Sequence, residues 1–318
     1  MTGTSSPGAL LTSPAVPIET FDAERVIDPA PLLQSGRNWT RLFGPAVSLL
    51  ILMVSLHEFQ SLNMRKLWVM MPTGIAFWAA FLLYYAAGPI SEWVIFRRLW
   101  NIPLEGFGAL LRKLVSNEIL LGYLGEVYFY AWARRNAKIT TAPFGALKDV
   151  TILSALVGNL ITLLMVAFAI PLFHGLDLGV RHWDIIGSLL FVLATSLAAM
   201  LLRKRLFTLP RPELWRVSAI HLIRIVATTV LAAAMWHMLL PTVALSWWLL
   251  LATLRQLVSR LPFLPNKDVV FAGMTAFLIG TANDIALAMA MMASLILVAH
   301  LLVGMALSAS ALLREGRL

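Results

Sequence analysis

From Thr151 to Phe173 the chain carries no charged side chain, and Ile185 to Leu202 does the same. A helix needs about 20 mostly apolar residues to cross the hydrocarbon of a bilayer. Such runs, apolar on every side, suit a helix surrounded by lipid or protein rather than one lying on a water-facing surface. Composition agrees: of 318 residues, 59% are apolar and 13% charged, where a soluble domain has about a quarter charged. The expected fold class is therefore an all-α polytopic integral membrane protein. With no cysteine, disulfides, thiolate nucleophiles and Cys-based metal or iron–sulfur sites are excluded. His57, His174, His182, His221, His237 and His300 form no HExxH and no pair at ligand spacing, so no metal and no other cofactor is expected.

Residues 1–36 read differently. They are rich in Ser, Thr and Pro and hold one basic residue, Arg25, against four acids. A secretory signal would begin with positive charge followed by an apolar stretch. A disordered cytoplasmic N-terminal tail is expected instead, followed by a single transmembrane helical domain over 37–318. The membrane part then holds 24 of the 25 basic residues and 12 of the 16 acids, so all of the positive excess belongs to it.

Spans are expected near 42–62, 67–88, 149–173, 184–202, 213–239, 243–260, 267–282 and 284–311. Between the second and third lies 101–135, apolar but broken into pieces too short to cross. Two short helices that dip in and return fit it better, making about eight transmembrane helices plus a re-entrant helical hairpin. Basic clusters at Arg97–Arg98, Arg134–Lys148, Arg203–Arg216 and Arg314–Arg317 then all fall on one side. The positive-inside rule makes that side the cytoplasm and puts both termini there, in an inner membrane. The basic residues sit at membrane edges, and no nucleic-acid module is visible.

Polar residues inside apolar segments are costly and point to function. In "SNEILLGYLGEVYFYAWARR" (Ser116–Arg135), Glu126, Tyr130 and Arg134 share one helical face, with Gly122 and Gly125 just before the acid. The functional reading is a buried carboxylate at a polar cavity; the structural one is a Glu–Arg tie to the surface. Asn117 and Glu118 lie at the hairpin tip, where Glu118 either lines the same cavity or caps the second helix. In 213–239, Ser218, His221, Arg224 and Thr228 form a polar stripe, with Arg224 about 16 Å into the helix. A guanidinium there suits a phosphate or carboxylate, or an acid of a neighbouring helix. From Arg255 to Gly273 the helix is interrupted at Pro262 and Pro265, and Lys267 and Asp268 follow. Interrupted apolar segments in both halves point to a transport site between repeats. Asn283–Asp284 reads as a helix N-cap. Trp215, Trp236, Trp247 and Trp248 are candidates for an interfacial belt.

The ordered pattern Asn117, Gly122, Gly125, Glu126, then Leu261, Pro262 and Pro265, resembles the lysylphosphatidylglycerol synthase transmembrane (flippase-like) family. The segment "WVIFRRLW" ahead of the hairpin resembles that family's basic-aromatic stretch. The family's turn proline is Leu121 here, its arginine after Gly-Glu is Phe129, and its Pro-Gly-Gly is "PNK". The resemblance implies a flippase-like transporter that moves a lipid or lipid-linked amphipathic molecule between leaflets. Its expected substrate-binding residues are Asn117, Glu118, Glu126, Tyr130, Arg134, His221, Arg224, Arg255, Lys267 and Asp268. The expected partner is an anionic or phosphate-containing membrane lipid, with a second copy of the chain as a further candidate. No Walker motif is present, so no P-loop ATPase is expected. The alternative is a membrane-embedded enzyme, or accessory subunit, acting on a lipid or prenyl phosphate in envelope biosynthesis.

Overall fold

Pro89 does not end the helix in which it lies. In a computed structural model of the chain, that helix runs unbroken from Ile75 to Trp100 and buries Pro89 in its middle. The structure describes residues 71–121, 123–136, 143–173, 207–260, 266–280 and 283–315, with 53 and 194. The expected tail 1–36, the spans 42–62 and 184–202, and Pro262 and Pro265 lie outside the described residues. Eight helices are described: α1 (Ile75–Trp100), α2 (Glu105–Ile119), α3 (Leu124–Asn136), α4 (Pro143–Phe173), α5 (Arg211–Leu239), α6 (Leu245–Ser259), α7 (Lys267–Ile279) and α8 (Asp284–Glu315). No strand occurs among the described residues. Four helices, α1, α4, α5 and α8, are long and apolar enough to cross a membrane.

The expected spans 243–260 and 267–282 fall on two short helices. They are α6 and α7, of 15 and 13 residues, each only about 20 Å long against a hydrocarbon core of about 30 Å. They pack on each other as α2 and α3 do. Among the described residues two such pairs of short helices occur, where the sequence suggested one hairpin. The second expected span is corrected, from 67–88 to 75–100, so that Glu92 lies well inside it.

The helix lengths repeat. The first half reads 26, 15, 13 and 31 residues, the second 29, 15, 13 and 32. Packing follows the same exchange: α2 of the first half rests on α8 of the second, and α6 of the second on α4 of the first. The equivalent helices α1 and α5 pack on each other and run antiparallel. Arg98 in the last turn of α1 meets Glu213 in the first turn of α5 at 3.1 Å, while Phe77 and Phe81 share a core with Met235 and Trp236. Antiparallel equivalents make the repeat an inverted one.

Two apolar cores follow, one around each hairpin. Phe77, Phe81, Trp236, Trp248, Phe271, Met289 and Met292 fill the first. Ile95, Phe96, Trp100, Leu110, Phe129, Leu147 and Leu301 fill the second. In a bilayer such cores gain by close van der Waals packing rather than by removal from water. Trp236 and Trp248 are thus core residues, 3% and 1% exposed with rings 6.1 Å apart, and not members of a belt; Trp215, at 79%, faces outward. Asn283 caps α8 as expected, its Oδ1 accepting from the Ile285 N–H at 2.9 Å.

Asp149 of α4 holds the segment that leads into α5. Its fully buried carboxylate accepts the backbone N–H groups of Thr208 at 2.6 Å and Leu209 at 2.8 Å, and the Thr208 hydroxyl at 3.0 Å. Asp149→Ala leaves these donors without their acceptor, at a cost of about 2 kcal/mol or more. The expected result is a lower thermal midpoint for the purified protein in detergent; a midpoint equal to the parent's would show that Asp149 does not anchor the segment.

Candidate functional site

Gly125, in the first turn of α3, lies flat against α2. A Cβ there would fall 2.2 Å from the Lys113 carbonyl oxygen and 2.7 Å from Asn117 Oδ1, so no larger residue fits without separating the arms. The contact is used: Asn117 Oδ1 accepts the Gly125 N–H at 2.8 Å, and Asn117 Nδ2 donates to Glu126 Oε1 at 3.2 Å. An asparagine of one arm thus caps the helix start of the other and turns the acid inward. The turn between them places Tyr123 at φ 74°, a backbone state that costs a residue with a Cβ about 1–3 kcal/mol.

Glu126 does not pair with Arg134. Lys113 of α2 lies 3.5 Å from Glu126 Oε1 and 2.7 Å from Glu92 Oε1 on α1. This lysine is 5% exposed, and the two acids beside it compensate its buried charge. The second oxygen of Glu126, Oε2, is buried with no hydrogen-bond partner among the described residues.

The second hairpin repeats the arrangement. Arg255 on its first arm donates to Asp268 Oδ1, in the first turn of its second arm, at 2.8 Å. It also donates to the Tyr84 hydroxyl of α1. Lys267 Nζ donates to the Ser259 carbonyl at 3.3 Å. The hairpin ends meet where the Asn266 N–H donates to the Glu118 carbonyl at 2.8 Å. From α5, Arg224 Nη2 donates to Ser154 Oγ of α4 at 2.9 Å. Arg260, just after α6, lies against Gly158 of α4, where an added Cβ would sit 1.9 Å from its Nη1.

One cavity of about 560 Å³ lies among these groups, bounded by α1, α2, α4, α5, α6 and the first turns of α3 and α7. Asn117, Glu118, Glu126, Arg224, Arg255, Lys267 and Asp268 all face it. Tyr130, Arg134 and His221 do not. Arg134 is eight residues beyond Glu126, about 12 Å along the helix; it is exposed and stacks over Tyr130 at 5.8 Å. Periodicity placed Tyr130 and Arg134 on one face with Glu126 without fixing their depth. His221 is wholly buried, and Thr228 bonds back to its own helix through the Arg224 carbonyl at 2.9 Å, so the polar stripe of α5 narrows to Arg224 alone.

Sequence reasoning missed Glu92, Lys113 and Arg260. The signal for Glu92 was "AAGPISEWVIF", one acid among apolar residues, lying just beyond the expected span 67–88. Lys113 and Arg260 each stand beside another polar residue and read as edge charges.

Comparison with known proteins gave no match: no family model, no curated protein and no solved structure is significantly similar to the chain.

Proposed function

We propose that this protein is a membrane-embedded, flippase-like transporter that moves a lipid or lipid-linked amphipathic molecule between leaflets without an ATPase of its own. The observation that carries the reading is the charged cavity between two broken helical hairpins of an inverted repeat. Transporters place substrate sites at such repeat interfaces, on interrupted helices near the bilayer midplane. Arg224, near the middle of the long helix α5, fits that depth, and bilayer energetics confines such charges to an interior.

In this reading each hairpin enters the membrane and returns, the first from the cytoplasmic side and the second from the opposite side. Replacing two crossings by one returning hairpin leaves the sidedness of later segments unchanged, so the basic clusters still support cytoplasmic termini. The pairing of Arg98 with Glu213 and of Glu213 with Arg216, at 3.1 Å and 2.5 Å, gathers two of those clusters at one end of the bundle. Kinship with the flippase-like family remains part of the proposal and rests on Asn117, Gly125 and Glu126.

The test is reconstitution of the pure protein in liposomes with a fluorescent phospholipid and an impermeant quencher. Leaflet exchange well above that of protein-free vesicles, with the lipid chemically unchanged, is the expected result. A new covalent product would favour the enzyme reading, and neither exchange nor product would refute both.

A further inference from the structure

The charges around the cavity do not cancel locally. Lys113 sits between two acids, Arg255 faces Asp268 at 2.8 Å, and Lys267 acts on Glu118. That accounts for all four acids lining the cavity and three of its five cations. Arg224 and Arg260 remain, and neither forms a salt bridge among the described residues. Glu92, whose charge reaches Arg224, is held by Lys113 at 2.7 Å. The hydrogen bonds of the two arginines go to neutral groups: Arg224 to Ser154 Oγ at 2.9 Å, Arg260 to Ser259 Oγ at 2.9 Å and to Gln256 Oε1 at 3.4 Å.

Both guanidinium groups come to the same strip of α4. Arg224 reaches Ser154, and Arg260 lies on Gly158, where the missing side chain makes room for it. Ser154 and Gly158 are one helical turn apart, about 6 Å. Two like charges so placed repel each other. An anion between them removes the repulsion and meets donors from two directions. A carboxylate is satisfied by a single guanidinium fork; the tetrahedral oxygens of a phosphate accept from two.

We propose that Arg224 and Arg260 form a binding site for a phosphate group on the α4 wall of the cavity, with Ser154 and Ser259 orienting the two guanidinium groups. This deepens the transport reading by naming the part of the substrate that the cavity holds.

The test measures binding to the purified full chain in neutral detergent. A fluorescent phosphatidic acid is the probe, with dihexanoyl phosphatidic acid and inorganic phosphate as competitors. The probe is expected to bind, and Arg224→Gln and Arg260→Gln are each expected to weaken it about ten-fold or more. Gly158→Ala keeps both charges but drives Arg260 off α4, so it is expected to weaken binding as well. Arg260→Lys retains part of it. Arg98→Gln, in the ion pair with Glu213 away from the cavity, leaves it unchanged. If a glutamine variant does not fold, Gly158→Ala and Arg260→Lys decide. Competition by the short-chain lipid supports a lipid phosphate. Competition by inorganic phosphate alone supports the site but removes the lipid reading of function. No probe binding, or binding indifferent to all cavity variants, overturns the site whether or not the liposome assay shows transport.

Discussion

Glu126→Gln is expected to insert, fold and purify like the parent and to move lipid at least about ten-fold more slowly, a change of about 1.4 kcal/mol in the limiting barrier. Three contacts decide this. Asn117 Nδ2 donates to Glu126 Oε1 at 3.2 Å, and the glutamine carbonyl oxygen accepts that bond equally well. Lys113 keeps its closer acid, Glu92 at 2.7 Å, so the lysine is not left unpaired. Gly125 still fits beneath Asn117. What disappears is the negative charge, and with it the capacity of Oε2, buried and without a partner among the described residues, to accept strongly from a group entering the cavity. A structural acid would behave in the opposite way. Full transport by Glu126→Gln would show the charge to be dispensable. A variant that aggregates on extraction would make the Lys113–Glu126 contact a folding element instead. Initial rates in liposomes, paired with thermal midpoints of the same preparations, separate the two.

The parts of the site legible in the sequence were those marked by backbone chemistry. Glycines beside an acid at 122–126 announced a break, and the structure supplies its reason: Gly125 lets α3 touch α2, and Asn117 spans the gap. Arg224 was legible because its depth follows from counting residues along one apolar helix. Lengths of helices were less so. Hydropathy averaged over 243–282 sees continuous apolar sequence and cannot tell two crossings from two short arms, since both present apolar faces to their surroundings. The expected span 67–88 stopped short in the other direction: burial between other helices carries this helix through Pro89, which local propensity alone would break. The repeat was invisible at the residue level because equivalent roles are filled by different residues. Lys113 with Glu126 and Arg255 with Asp268 each join the first arm of a hairpin to the first turn of the second, yet the pairs share no identity and their registers differ. What is repeated is the electrostatic arrangement, which sequence identity does not record.

That arrangement makes Lys113 the position where one substitution does most harm to the fold. Lys113→Met keeps the length and apolar stem of the side chain but leaves Glu92 and Glu126 facing each other in a buried site with no cation between them. Removing one member of a buried ion pair costs about 3–5 kcal/mol, because the remaining charge is stranded; here two charges are stranded. The expected outcome is poor yield and a thermal midpoint in detergent well below the parent's. The sign of the second change distinguishes this from a loss of packing. Glu92→Gln in the Lys113→Met background removes one stranded charge and should recover part of the loss, although Glu92→Gln alone in the parent should destabilise. Such a reversal of sign is a coupling of the kind shown by residues in direct contact, which reaches about 0.5–3 kcal/mol. The equivalent pair in the second hairpin predicts a milder result: Arg255→Met strands only Asp268, which has a single partner at 2.8 Å. If Lys113→Met melts with the parent, or if Glu92→Gln makes it worse by the same amount as it makes the parent worse, the three charges are independent and the cavity wall is not the electrostatic unit derived from its distances.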